Sequence, residues 1–249
     1  MTNATAPGLD VHTPTSASRS RIGVIVAAAG LSLGAFAFAA DFVPGVVGAV
    51  LTGLASSGAA WGAPAAIVGF LSRGKRDAIV RPALMLLIAT TVYYLGILIL
   101  SRRWNIAGES LTSGESTALI GLVSVGRLWV IWLIIALAIG ATLGLLGYFI
   151  RHSSPRAAAV AAGAATGLLL SEGLSAALWS LPSYWNLAEP GSSRPVSLLV
   201  AMFAAVVVPA VLAVTRRKPV AWWLYAIATV SIALATAGAW HFVEIFRNS

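Results

Sequence analysis

The sequence predicts an all-α fold, a polytopic transmembrane helix bundle of about seven spans, and three observations carry that expectation. Of 249 residues, 59% are apolar and only 10% charged, whereas soluble domains average about 25% charged residues. The apolar residues fall in runs of about twenty, the length that crosses a hydrocarbon core of about 30 Å at about 1.5 Å per residue. Short segments between the runs hold most of the Arg and Lys. The same composition excludes other classes. With no cysteine, disulfides, thiolate metal sites, iron–sulfur clusters and palmitoylation are ruled out. The net charge of +8 sits in the connecting segments, where it sets orientation, so no nucleic-acid partner is expected. The preference for Arg over Lys, with abundant Ala and Gly, suggests a GC-rich bacterial genome and hence the bacterial inner membrane.

Residues 1–18 are rich in Thr, Ser and Ala, contain Pro7, Gly8 and Pro14 and show no apolar period, so they are expected to form a disordered cytoplasmic tail. Residues 19–249 then form a single transmembrane domain. Thr2 stands where myristoylation needs a glycine. The first span, 22–40, follows Arg19 and Arg21 and stops at Asp41. Ala37-Phe38-Ala39 resembles a signal-peptide cleavage site, and cleavage there would leave six spans. The apolar run is longer than a usual signal core, which favours seven. From Phe42 to Leu71 the chain stays apolar but is interrupted by Pro44, Gly45, Gly48, Gly53, Ser56, Ser57 and Gly58. A short interfacial or re-entrant helix near 46–54 is expected, then a second span at 59–71, tolerated where protein buries the broken backbone. The third span is 78–100, followed by a polar loop over 101–117. A short apolar piece at 118–125 leads into the fourth span, 128–150. The fifth is 157–180, and the loop after it holds Pro182, Pro190 and Pro195. The sixth is 197–214, with Pro209 inside, and the seventh 220–245.

Counting cations beside the spans orients the chain. With the N-terminus in the cytoplasm, one side receives Arg19, Arg21, Arg73, Lys75, Arg76, Arg81, Arg151, Arg156, Arg216, Arg217 and Lys218. The other receives only Arg102, Arg103, Arg127, Arg194 and Arg247, together with Asp41, Glu109, Glu115, Glu189 and Glu244. The C-terminus is therefore expected outside. Trp104, Trp129, Trp179 and Trp185 near the outer ends fit an interfacial belt. Gly69-Phe70-Leu71-Ser72-Arg73 and Gly147-Tyr148-Phe149-Ile150-Arg151 each end a span before a short basic loop, 78 residues apart. Spans two and three would thus repeat as four and five in the same orientation, an arrangement some transporters use to build a site at the repeat interface.

Small residues recur four apart at Gly30 and Gly34, Gly58 and Gly62, Gly140 and Gly144, and Gly163 and Gly167. Such pairs let backbones approach where lipid removes the hydrophobic drive for association. Four spans carry them, which points to packing within the chain; a homo-oligomer is the alternative. Gly30-Leu31-Ser32-Leu33-Gly34 matches a nucleophile signature, but that motif needs a strand-to-helix turn and here it lies inside a span. No metalloprotease, phosphate-loop or dinucleotide motif is present. No catalytic residue, cofactor or metal site is therefore assigned. His241 and Glu244 share a helical face, but two ligands do not make a site.

Apart from Glu244 at the outer end of the seventh span, the one carboxyl inside a span is Glu172, in Leu170-Ser171-Glu172-Gly173. A charge in hydrocarbon costs about 2.5–3.5 kcal/mol on insertion scales, so such residues face a bundle interior and mark function. Counted along their helices, Glu172 and Tyr94 both stand about 23 Å above the cytoplasmic boundary. Tyr93, Thr90, Thr91 and Ser175 lie near that level and His241 and Trp240 somewhat higher. Together these residues are candidates to line an outward-facing polar pocket. A structural hydrogen bond from Glu172 to Tyr94 or to backbone, clamping two helices, is the competing reading. Arg127 starts the fourth span and is expected to snorkel to the interface.

The run Ala55-Ser56-Ser57-Gly58-Ala59-Ala60-Trp61, the Tyr93-Tyr94 pair, the fourth span around Trp132, Gly140, Gly144 and Gly147, and Leu170-Ser171-Glu172-Gly173 resemble a family of uncharacterised actinobacterial integral membrane proteins, a domain of unknown function. The resemblance covers about residues 25 to 180. It implies that Tyr94 and Glu172 belong to one site and implies no activity or ligand. The expected partners are the lipid bilayer and a small-molecule or lipid ligand, bound or transported. A non-catalytic membrane scaffold or accessory subunit is the second expectation, and a lipid-acting enzyme ranks last.

Overall fold

A computed structural model of the chain describes residues 16–55, 57–101, 116–179, 194–215 and 220–248. Every element among them is helical: α1 (Ser16–Ala40), α2 (Gly45–Ala55), α3 (Gly58–Leu71), α4 (Lys75–Leu95), α5 (Ser116–His152), α6 (Pro155–Trp179), α7 (Arg194–Thr215) and α8 (Trp222–Asn248). A π-helical turn, Gly96–Ser101, prolongs α4. Residues 1–15 of the expected tail lie outside the described residues, and its last three residues already belong to α1. The loop residues 102–115 and 180–193, with Trp104 and Trp185, also lie outside them, as do Arg216, Arg217 and Lys218.

One expectation is corrected. The apolar piece at 118–125 is not an element of its own, because α5 runs unbroken through it. No proline interrupts the stretch, and Gly121 and Gly126 weaken a helix without ending it. Its 37 residues extend about 55 Å, well beyond the about 30 Å hydrocarbon core. Among the described residues five helices are long and apolar enough to cross a membrane, and α2 with α3, bent by 50° at their junction, would make a sixth if the pair is one span. The expected remaining span falls on α7, whose described apolar part is only Ala205–Thr215.

The break between α1 and α3 follows from its residues. The chain leaves α1 through Asp41 to Pro44 and enters α2 at Gly45, whose φ of +73° is strained for any residue with a Cβ. Helix ends expose unpaired carbonyls and amides, which hydrocarbon cannot satisfy, and here side chains satisfy them. Thr52 Oγ1 donates to the Ala40 carbonyl at 3.0 Å and Trp61 Nε1 to the Ala55 carbonyl at 2.5 Å. Ser57 caps α3, its Oγ accepting from the Ala60 N–H at 3.2 Å. Replacing Ser57 by Ala is expected to cost about 1 kcal/mol, read as a lower melting temperature in detergent.

The packing is inverted in size relative to a soluble domain. Ala65, Ala66, Ala162 and Ala165 are fully buried, whereas Val24, Phe36, Val130, Trp223 and Phe242 are more than half exposed. Lipid tails are as apolar as leucine, so large side chains gain nothing by hiding, while small ones let helices close. These are the helices of an integral membrane protein, and their surroundings are lipid. A Cβ on Gly30 or Gly34 of α1 would collide with the Met85 or Ala89 carbonyl of α4, and one on Gly140 or Gly144 with α4 at Ala83 or Ala78. On Gly62 it would meet Leu143 and Leu169, and on Gly163 or Gly167 it would strike the backbone of α8.

The 78-residue offset reappears in these contacts. Gly69 of α3 abuts the backbone of Gly144 in α5, and Gly147 abuts that of Ala66; moving each residue by 78 positions exchanges the two contacts. Met85 and Ala89, against which α1 packs, likewise correspond to Gly163 and Gly167, against which α8 packs. The helix pairs α3–α4 and α5–α6 therefore cross at equivalent positions, each flanked by one parallel helix. At the basic end Arg151 donates to the Phe70 carbonyl at 3.3 Å and lies 5.7 Å from that ring's centroid.

Candidate functional site

Glu172 stands on α6 about 25 Å along the helix from Pro155, at the height where α3 begins. The Gly58 N–H, the first of α3, donates to Glu172 Oε2 at 2.5 Å. The opening amides of a helix lack intrahelical acceptors, and its N-terminus carries partial positive charge. A carboxyl that would be expensive in hydrocarbon thus sits where backbone stabilises it. Gly58 also leaves room for it, since a Cβ there would lie 3.1 Å from Oε2.

Beside this contact lies a cavity of about 230 Å³ walled by α1 to α6, somewhat smaller than the about 300–1,000 Å³ of drug-sized sites. Its wall is largely apolar, with Leu86, Ala136, Leu143 and Leu169 among its aliphatic residues, and its polar and aromatic residues are Asp41, Trp61, Tyr93, Tyr94, Trp132 and Glu172, with Thr52, Thr90 and Ser171. The Tyr93 hydroxyl donates to Asp41 Oδ2 at 3.3 Å. The Tyr93 ring meets Trp61 edge-on at 6.5 Å and Tyr94 at 5.5 Å, and Tyr94 stacks on Trp129 at 6.4 Å. Trp129, expected in the interfacial belt, is half-buried by that stacking. Arg127 is exposed, on the part of α5 that extends past the cavity.

Of the candidate residues, the fold brings Glu172, Tyr93, Tyr94 and Thr90 to one cavity and leaves two others off its wall. Thr90, Tyr93 and Tyr94 are spaced three and four apart and share a face of α4, while Thr91 is turned about 100° from Thr90 and does not line the cavity. Ser175, one turn beyond Glu172, is fully buried with an Oγ that lacks a hydrogen-bond partner, and it too is absent from the wall. The side chains of His241, Trp240 and Glu244 lie outside the described residues. Sequence reasoning missed Asp41, Thr52, Trp61 and Trp132 as wall residues. Asp41 lies in the turn between α1 and α2 and Trp61 in the first turn of α3, just past the 50° bend between α2 and α3. The available signal was that Asp41 ends its span at the same side of the membrane as Glu172.

Comparison with protein families matches residues 115–245 to a family of unknown function, DUF6518. The chain belongs to this family. The match covers α5 to α8, more than half of the sequence, and lies further toward the C-terminus than the resemblance over 25 to 180. The DUF6518 segment holds Glu172 and Trp132, so it supplies one wall of the cavity, and the residues before it supply Asp41, Trp61, Tyr93 and Tyr94. No curated protein and no solved structure matches the chain.

Proposed function

We propose that the protein is a membrane-embedded binding protein for a small ligand, held in the cavity between α1 and α6 with Glu172 as its charged contact and Tyr93 and Tyr94 as its hydrogen-bonding wall. One observation carries this reading: an intramembrane carboxyl borders an interior cavity instead of being sealed between close-packed helices. Cavities lined by apolar and aromatic groups with a few convergent polar ones are the usual form of ligand sites, and intramembrane acids are functional by default. The cavity lies away from the basic junctions at Arg73 to Arg76 and Arg151 to Arg156, which supports an outward-facing site if the N-terminus is in the cytoplasm.

A second reading is favoured by the Gly58 contact itself. Glu172 would be a clamp that caps α3 from α6 in a non-catalytic scaffold. The two readings part on a variant that fills the cavity and leaves the clamp intact. Ala136 lines the cavity, and Ala136→Phe places a ring in it while leaving Glu172 and Gly58 themselves unchanged. Solvent extraction of the purified protein followed by mass spectrometry is expected to yield a small molecule from the wild type and about tenfold less from folded Ala136→Phe. Equal yields from both, or none from either, would favour the clamp.

A further inference from the structure

We propose that the protein is a carrier that moves its ligand across the membrane by rocking of α3–α4 against α5–α6; the proposal rests on the binding reading above and adds transport. The cavity lies on the axis that relates the two helix pairs. Of the six wall residues on α3 and α4, five have a counterpart 78 positions further on that also lines the wall. Gly58 corresponds to Ala136, Tyr93 to Ser171 and Tyr94 to Glu172. Residues related by a repeat surround one space only where the relating axis passes through it. Both α3 and α5 run toward the basic junctions and both α4 and α6 run away from them, so that axis stands along the membrane normal. Transporters built from such repeats hold their substrate at the repeat interface and work largely by rigid-body rocking of one repeat against the other around that site.

The contacts between the halves suit such a motion. Toward the basic end α3 and α5 cross backbone to backbone, Gly69 on Gly144 and Gly147 on Ala66, a close approach that small residues permit and that leaves little side chain to repack. Beyond the crossing, two cations reach from one half to a ring of the other. The Arg151 guanidinium lies 5.7 Å from the Phe70 centroid, and Lys75 Nζ lies 5.8 Å from that of Phe149. Both cations are exposed, and cation–π contacts at exposed sites are weak enough to part and re-form. Trp61 of the wall precedes Gly69 by eight residues, about 12 Å along α3, so crossing and cations stand between the cavity and the basic side. The structure is the state closed at that side, and the crossing is the pivot on which it opens.

The chain has no cysteine, so a lone thiol in the wall reports which side the cavity meets. Ala136→Cys, with Thr90→Cys as a second site, is labelled in right-side-out and inverted membrane vesicles by small impermeant methanethiosulfonates, one cationic and one anionic. The side on which a lone Lys75→Cys reacts marks the basic end. The minor state of a two-state protein is about 0.1–10% populated, so labelling from the basic side is expected to run about 10- to 1,000-fold slower than from the other side and still reach completion. Adding Phe70→His with Arg151→His, or Lys75→His with Phe149→His, lets zinc bridge the halves, with the same thiol lacking the histidines as control. Once a raised melting temperature shows that zinc has bound, labelling from the basic side should stop, labelling from the other side should continue, and a chelator should reverse the block. Labelling from one side alone, or from both with a bound zinc bridge making no difference, would overturn transport by rocking and leave the binding cavity standing. Thiols that react from neither side would overturn the binding reading and this proposal together.

Discussion

Gly144→Leu is expected to dismantle the bundle at its tightest junction. Gly144 sits where three helices meet: a Cβ on it would run into the Ala78 carbonyl and Pro82 of α4, and its own backbone is the surface against which Gly69 of α3 packs. The obstructing atoms are backbone and a proline ring, neither of which rotates away. Overpacking typically costs 1–3 kcal/mol where side chains can adjust, so the loss here is expected to reach about 3 kcal/mol or more. Gly126→Leu is the matched control, since it lies on the same helix with nothing within 4 Å of its added Cβ. Melting in detergent should show a large drop for Gly144→Leu and almost none for Gly126→Leu. Equal stability of the two would contradict the crossing of α3, α4 and α5 at this residue.

Glu172→Lys is expected to be nearly as damaging, for an electrostatic reason. The substitution removes the acceptor of the Gly58 N–H and sets a positive charge against the positive end of α3. Leaving a buried donor without its acceptor costs about 1–3 kcal/mol, and more where a charge is involved; about 3 kcal/mol is expected here. The yield of monodisperse protein on size exclusion should collapse. Glu172→Gln retains a carbonyl oxygen for the Gly58 N–H and should remain folded, which separates the loss of charge from the loss of the contact. A Glu172→Lys protein with the wild-type melting temperature would show that α3 does not depend on this residue.

Part of this architecture is legible in the amino-acid sequence. Spans such as 22–40 follow from apolar run length and flanking Arg, because the bilayer imposes a fixed thickness on any crossing helix. The level shared by Glu172 and Tyr94 follows from counting residues along two helices that start at the same side. Thr91 shows where counting stops: level is one coordinate, and the 100° turn per residue supplies another. That rotation decides whether a side chain meets the cavity, and it is set by packing at Met85 and Ala89, which no local pattern reveals. The place of Trp61 in the wall depends on the angle of the α2–α3 break and that of Asp41 on the α1–α2 turn, which runs of Gly, Ser and Pro announce without specifying. The unbroken α5 exposes another limit. Gly and Ser in an apolar stretch read as an interruption, yet a helix without proline has no compelling reason to end, and in lipid every unpaired amide is penalised.

The most direct test is native mass spectrometry of the detergent-extracted protein, wild type beside Glu172→Gln, at activation gentle enough to retain bound mass. The wild type is expected to carry a discrete adduct below lipid mass that is missing from a Glu172→Gln protein of equal melting temperature. Identical spectra, with no adduct or with the same lipids on both, would contradict the account and leave Glu172 as the cap of α3 alone.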